Sequence, residues 1–363
     1  MKIAHVVDSM EVGGSETLVL QMCRLQREQG HDPCVYAIAT LGALGERMRM
    51  EGFNVQANVG SYLPDATRNF FRIFRGSRPD VVHVHNPTPT IYAAMAARMA
   101  GVASVVSTRH SLVAPPRKLV TELKYAFAAS SCDWIAGVCD ATTSNVKKMH
   151  SVPARKIVRV YNGTIPLARV ATEHQPPRSG FTLVYVGRLA AVKNHALLLN
   201  SFRAALSSMP NLRLWMVGDG SERNALERLA GELDVTAEVT FWGQQLDVAP
   251  FLSAADAFIM SSKSEGLPMS LLQALSLGIP AIVTEVGGMA EVVQLAKAGY
   301  TVSVTNPTEM AEAILRLAGS QTDRQQFSIN GKAAFDQYFT LKTMVDAYMD
   351  LYRKTPTAGR AGG

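Results

Sequence analysis

The chain has 363 residues, of which 47% are hydrophobic and 18% charged, and its formal net charge is +6. That balance excludes a disordered protein and is enough for two domains, each burying its own core. No apolar run reaches the roughly 18 residues needed to span a bilayer: Tyr92 to Val106 is the nearest, and Arg98 and Gly101 interrupt it. The apolar stretch after Lys2 stops at Asp8, which does not read as a secretory signal, so the protein is expected in the cytosol.

In chain order, short apolar strands alternate with amphipathic helices, the pattern of parallel sheets covered by helices. The first half reads as strands at Lys2 to Val7, Asp32 to Ala39, Asn54 to Asn58, Val81 to His85, Ala103 to Thr108, Trp134 to Val138 and Ile157 to Val160. Helices are expected at Thr17 to Glu28, Gly45 to Glu51 and Thr90 to Met99. From Asn162 to Gly180 the composition turns to Gly, Pro and mixed charge, the character of a linker. The second half restarts with strands at Phe181 to Val186, Arg213 to Val217, Val239 to Phe241, Ala257 to Met260, Ala281 to Thr284 and Tyr300 to Val302. Between the first of them lie helices from Asn194 to Ser208 and from Ser221 to Leu233, and a last helix runs from Leu341 to Tyr352.

The expected division is therefore residues 1–163, a linker at 164–180, a second doubly wound domain at 181–338, a C-terminal helix at 339–354 and a disordered tail at 355–363. Cys23, Cys34, Cys132 and Cys139 show no zinc spacing and read as buried thiols in a reducing compartment. Two stretches interleave cations with apolar residues: Arg68, Arg72, Arg75 and Arg78 with Phe70, Phe71 and Phe74, and Arg117, Lys118 and Lys124 with Leu119, Val120, Leu123 and Tyr125. Each fits a helix with its apolar side in the core and a solvated basic face. Each also fits peripheral contact with an anionic membrane surface.

The chemistry concentrates late in the chain. The apolar strand Ala257 to Met260 runs into Ser264-Glu265-Gly266-Leu267-Pro268 and then a helix from Ser270 to Leu277, closed by Gly278-Ile279-Pro280. Backbone N–H groups at such a helix start lack partners and sit at the positive end of the helix dipole, so a phosphate is stabilised there without a side chain. Arg188 and Lys193 follow the strand Phe181 to Val186 at its carboxyl end, where open α/β sheets bind ligands. A guanidinium fork and an ammonium suit a diphosphate, although either could serve a structural salt bridge. Gly13 and Gly14 after the first strand allow close backbone approach to a ligand, or simply a tight turn. His110 follows Ser107-Thr108-Arg109 at another strand end, where a satisfied structural histidine is the competing reading. Gly218-Asp219-Gly220-Ser221-Glu222 departs from a dinucleotide fingerprint because Arg223 stands where the third glycine belongs, so it reads as a helix start capped by Asp and Ser.

Taken together, Glu265 with the eight-residue spacing to Gln273, Val12-Gly13-Gly14-Ser15-Glu16, His110, Tyr161-Asn162-Gly163, Val186-Gly187-Arg188 with Lys193, and Val286-Gly287-Gly288-Met289-Ala290-Glu291 resemble the retaining glycosyltransferases of family 4. The resemblance covers nearly the whole chain and departs at Gln273, where the family carries a second glutamate on the ribose; Gln keeps an acceptor but loses the charge. It implies a GT-B architecture of two Rossmann-like domains facing across a cleft, the first on the acceptor side and the second holding the nucleotide sugar. The final helix is then expected to return to the first domain. By the same resemblance the catalytic set is Glu265, His110, Arg188 and Lys193, and the donor is held by Gly13, Gly14, Gly187, Gly243, Gly266, Leu267, Ser270, Leu271 and Gln273.

The implied reaction moves a sugar, with retention, from a nucleoside-diphosphate donor (UDP favoured over GDP) to a glycan, lipid-linked or small-molecule acceptor. No cofactor is implied, and with no D-x-D triplet in the chain no metal is expected. Nucleic acid is not an expected partner. A 2-epimerase of the same architecture and a catalytically weak scaffold subunit are the competing functions; intact Glu265, Arg188 and Lys193 weigh against the second.

Overall fold

The computed structural model describes residues 1–59, 63–112, 119–148, 152–177 and 179–354. The chain forms two compact units, Met1–Thr164 with the segment from Leu341 onward, and Ile165–Thr340.

In the first unit seven strands, β1 (Lys2–Val7), β2 (Asp32–Ala37), β3 (Asn54–Gln56), β4 (Val81–His85), β5 (Ser104–Arg109), β6 (Trp134–Gly137) and β7 (Ile157–Arg159), pair in parallel in the order β3-β2-β1-β4-β5-β6-β7. Helices α1 (Gly14–Glu28), α2 (Gly42–Met50), α3 (Leu63–Ser77), α4 (Pro87–Met99), α5 (Leu119–Ala129) and α6 (Asp140–Lys148) connect them. Because successive strand residues face opposite sides, each face builds its own core. Ala4, Val6, Tyr36, Val82 and Val84 meet Phe70 and Phe74 of α3 on one face. Val7, Val35, Ala37 and Val55 meet Val19, Leu20 and Cys23 of α1 on the other. Phe70 and Phe74 are buried, which turns the aromatic side of the basic α3 into the core. On α5 the opposite holds for Val120, Leu123 and Phe127, which are 65%, 62% and 68% exposed. Arg117 and Lys118 lie outside the described residues, as does the tail.

The second unit repeats the plan with β8 (Phe181–Val186), β9 (Leu212–Val217), β10 (Val239–Gly243), β11 (Ala257–Met260), β12 (Ala281–Thr284) and β13 (Gly299–Val302), ordered β10-β9-β8-β11-β12-β13. Its helices are α7 (His195–Ser208), α8 (Arg223–Glu232), α9 (Ala249–Ala254), α10 (Met269–Ser276), α11 (Gly287–Ala296), α12 (Pro307–Gly319) and α13 (Gln321–Tyr338). The last helix, α14 (Leu341–Arg353), packs on α1 and β5 of the first unit. The stretch expected to be a linker is bound into the second unit from Ile165: Leu167 N donates to Ser276 Oγ at 3.1 Å, Val170 N to Ser253 Oγ at 3.1 Å, and Arg169 to Leu277 O at 2.9 Å. These bonds fasten its backbone to α9 and α10 instead of leaving a loose tether.

Among the described residues all four cysteines are buried and none is in a disulfide, and all belong to the first unit. No helix of the described residues is long and apolar enough to cross a membrane.

Candidate functional site

Both sheets reverse strand order beside their first strand, and in open α/β sheets that switch point opens a crevice at the carboxyl ends of the strands. In the second unit the switch lies between β8 and β11. Arg188 and Lys193 follow β8 and Glu265 follows β11, so the topology alone brings them to one edge.

Close backbone packing holds the Arg188 loop. Gly187 N donates to Val217 O at 2.9 Å, Leu189 N to Asp219 O at 2.9 Å, and the Tyr185 hydroxyl to Arg188 O at 3.0 Å. A Cβ on Gly218 (φ +139°) would lie 1.9 Å from Gly187 O. This is the physical reason for the Gly-Asp-Gly run and corrects its reading as a capped helix start. Here α8 begins only at Arg223, its N-cap is Glu222 with no side-chain cap bond, and the glycines let the loops after β8 and β9 touch. Gly218 N also donates to Gly243 O at 2.8 Å, which joins the end of β10 to the same edge.

Lys193 closes a 3-10 turn over Ala191–Lys193, and Ser261 Oγ, just after β11, donates to Lys193 O at 2.9 Å and to Asn194 O at 3.0 Å. The turn is thereby fastened to the loop that carries Glu265. The Lys193 ammonium and the Glu265 carboxylate form an ion pair, both largely shielded, and Ser262 Oγ approaches the same carboxylate oxygen at 3.4 Å. Arg188 and Glu265 both act on the Tyr185 hydroxyl. Burial raises its pKa, Glu265 raises it further, and Arg188 opposes them. Arg188 and Glu265 thus share the neighbourhood of Tyr185, and Lys193 joins them through its ion pair with Glu265. His195 packs edge-on to Tyr185 at 4.6 Å, and burial, then Lys193, lowers its pKa to about 4.

Pro268 is the extended N-cap of α10 and makes no side-chain cap bond, so the Ser270 and Leu271 N–H groups open the helix without intrahelical partners. Gly288 N donates to Gly266 O at 2.7 Å and ties the Glu265 loop to the start of α11. Leu267 is buried beneath the turn, whereas Gln273, one turn into α10, is only half-buried. At the other end of α10, Gly278 (φ +68°) forms a Schellman closure, with Gly278 N to Leu275 O at 2.9 Å and Ile279 N to Ala274 O at 3.0 Å.

In the first unit the switch lies between β1 and β4. Gly13 is the N-cap of α1, which starts at Gly14; a Cβ on Gly13 would meet Glu16 Oε2 at 2.3 Å. The Glu16 carboxylate thus lies over the helix start that the glycines leave open, where it complements the dipole. Sequence reasoning missed Asp8, directly after β1. Burial raises its pKa to about 6, a hydrogen bond from Thr88 opposes this, and Glu16 adds to the rise. An acid immediately after an apolar strand was the available signal.

His110 N donates to Asn86 Oδ1 at 3.2 Å, and His110 Nε2 lies 3.1 Å from His85 Nδ1. Arg109, by contrast, is buried in an ion pair with Glu122 at 3.6 Å and stacks over Tyr125, which makes it structural. The nitrogen atoms of His5, His83 and His85 lie within 4.8 Å of one another, a possible metal cluster by proximity. Both His83 nitrogens are already engaged, by Tyr352 OH and Thr108 Oγ1 at 2.7 Å each, and both His5 nitrogens by His85 and Gln26.

Two doubly wound units, the second with a cationic, helix-terminus edge, define a class of nucleotide-sugar-binding folds. The glycosyl transferases group 1 family model matches residues 171–334, and the Glycosyltransferase Family 4 model matches residues 12–166. The chain belongs to the group 1 glycosyltransferases of GT-B architecture. Over 187 residues it is 33% identical to the lipopolysaccharide core biosynthesis glycosyltransferase LpsD of Rhizobium meliloti (strain 1021), covering 52% of this chain and 53% of that protein, so the match spans about half that relative's length. It is 25% identical to the UDP-Gal:alpha-D-GlcNAc-diphosphoundecaprenol alpha-1,3-galactosyltransferase of Escherichia coli, covering 78% of each. Among solved structures, Anabaena Alr3699/HepE in complex with UDP superposes with a TM-score of 0.82 at 17% identity, over 96% of this chain and 99% of that one, a likeness of fold.

Proposed function

We propose that the protein transfers a sugar from a nucleoside-diphosphate donor, a UDP-sugar in preference to a GDP-sugar, to a hydroxyl of a glycan, lipid-linked or small-molecule acceptor, with retention and without a metal ion. The observation that carries this reading is the convergence of Arg188, Lys193 and Glu265 at the switch point of the second sheet, beside the uncapped start of α10. As the bond from the anomeric carbon to the diphosphate breaks, its electron pair passes to the leaving oxygen. Arg188, Lys193 and the N–H groups of Ser270 and Leu271 supply fixed positive potential where that charge appears. Lys193 exchanges Glu265 for the phosphate, and the freed carboxylate orients donor hydroxyls and stabilises the cationic sugar. The acceptor oxygen bonds the anomeric carbon on the face the diphosphate leaves, and its proton goes to the departing phosphate.

In this reading Gly187, Gly243 and Gly266 bring backbone close to the nucleotide, and Gln273 takes the ribose. Gly13, Gly14 and His110 serve the sugar side. Glu16 over the start of α1 favours a neutral, hydroxyl-bearing ligand there over a phosphate. UDP in a complex of the Anabaena neighbour, and a UDP-Gal donor in the name of the E. coli relative, support the choice of base. The exposed Val120, Leu123 and Phe127 on α5 support peripheral contact with an anionic membrane at that helix, consistent with a cytosolic enzyme working at the inner face of the membrane.

The test is a panel of UDP- and GDP-sugars, read by thermal stabilisation and by release of the nucleotide with and without acceptor. A UDP-sugar should add roughly 2.7 kcal/mol of stability at a hundred times its Kd. Stabilisation by no nucleotide sugar, strict dependence on added manganese, or epimerised donor as the sole product would each count against the reading. Absence of flotation with anionic vesicles at low salt would remove the membrane contact.

A further inference from the structure

We infer that Gln26, His5 and His85 form a buried relay that fixes which nitrogen of His110 carries the proton, making His85 and His5 positioning residues for it; this rests on the reading of His110 as a sugar-side residue.

The relay follows from strand register. His5 pairs with His83 across β1 and β4, and His85 pairs with Thr108 across β4 and β5. With a two-residue repeat, His5, His83, His85, Thr108 and His110 all fall on one face of the sheet. Two strings of hydrogen bonds then separate. In one, His83 is held between Tyr352 OH and Thr108 Oγ1, and Thr108 Oγ1 meets Tyr348 OH at 2.9 Å, so α14 immobilises the central ring. In the other, Gln26 Oε1 lies 2.9 Å from His5 Nε2, His5 Nδ1 lies 3.1 Å from His85 Nε2, and His85 Nδ1 lies 3.1 Å from His110 Nε2.

The second string has a direction. A carbonyl oxygen only accepts, so His5 donates from Nε2 and leaves Nδ1 as an acceptor. His85 must then donate from Nε2 to His5, and His110 from Nε2 to His85. The Gln26 amide acts as a donor toward the Tyr352 hydroxyl, which leaves its oxygen for His5. Two protons cannot occupy one gap, so His5 and His85 stay neutral while the string is intact, and burial, which lowers the His110 pKa to about 4, keeps that ring neutral as well. Burial acts the same way: it lowers the pKa of His5 to about 4 and those of His83 and His85 well below the ordinary histidine value.

The consequence for His110 is chemical. With Nε2 committed to His85, Nδ1 is the remaining ring nitrogen, and it bears a lone pair. It can accept from a sugar hydroxyl, whereas a phosphate oxygen would find no donor there.

The test combines histidine-selective ¹⁵N labelling with steady-state kinetics on the full chain. Wild-type His5, His85 and His110 should all appear as the Nε2–H form. His85→Phe, which keeps a ring in the stack, should release His110 into a mixture of forms. It should also lower kcat by about tenfold or more, the scale carried by outer-shell partners of a working imidazole, while donor KM stays within about twofold. Gln26→Met should loosen the His110 form and Gln26→Glu, which keeps the acceptor, should restore it; the unchanged His195 signal and melting temperature report an intact fold. An Nδ1–H or cationic His110 in the wild type, an unaltered His110 in His85→Phe, or stoichiometric zinc bound on dialysis would overturn the relay. Loss of kcat in His110→Ala without loss in His85→Phe would do the same. A relay with the expected proton positions but full activity in both variants would instead overturn the sugar-side reading of His110.

Discussion

The two units share a strand order and open their switch-point crevices by the same rule, yet they furnish those edges differently. In the second, Arg188, Lys193, Glu265 and an uncapped helix start put fixed charge at the crevice. In the first, neutral imidazoles line one side, and Asp8 and Glu16 occupy the positions after β1. Topology fixes where a ligand binds, and the few side chains beyond the strand ends fix which charge it carries.

The largest break in that contrast is expected at Glu265. Glu265→Ala should lower kcat by about a thousandfold, near the upper end for loss of one group that stabilises transition-state charge, with no change in melting temperature; activity close to wild type would remove Glu265 from the mechanism. Next is Arg188→Ala, which should cost roughly a hundredfold in kcat/KM for the donor and little in acceptor KM. An equal effect on acceptor KM would blur the division of labour between the two edges.

The first unit should show its character in the pH dependence of stability. Above pH 6.5 His5 is neutral folded or unfolded. Between 6.5 and about 4 the unfolded chain takes up a proton that the buried ring refuses, so stability falls as pH drops through that window and levels off below it. For His5 alone the loss is on the order of 3 kcal/mol. Asp8, raised to about 6, opposes it, because its contribution is present at low pH and fades as pH rises from 3.8 to about 6. Urea titrations from pH 4 to 7 should therefore show a net rise with pH, and a flat profile would mean that the histidines are solvated.

The smallest effect is a gain. Gln273→Glu should lower donor KM about fivefold, since a charged acceptor strengthens a hydrogen bond by about 1 kcal/mol, and no change would place the ribose elsewhere.

Much of this was legible in the sequence. The strands of both sheets were marked by apolar runs bounded by Gly, Pro and charge, and β1, β4, β8, β11 and β12 begin and end at the expected residues. Others shifted at their ends: β2 stops at Ala37 rather than Ala39 and α1 starts at Gly14 rather than Thr17, because pairing partners and helix N-caps set such limits. The Glu265 segment was visible because turn, carboxylate and helix start are contiguous. The histidine string was not. Val-His-Val-His hints at one face, but His5, Gln26, His85 and His110 meet only once the order β1-β4-β5 and its register are known. The Gly218 and Gly220 positions were misread for a similar reason: what they approach, Gly187 and Leu189, lies some thirty residues earlier in the chain.

The placement of the cysteines offers an experimental handle. Since Cys23, Cys34, Cys132 and Cys139 are buried and confined to the first unit, alkylation by a soluble thiol reagent clocks the opening of that half alone, while the other half stays silent. Set beside a global unfolding probe, the labelling rate would tell whether the intact chain comes apart in one event or two.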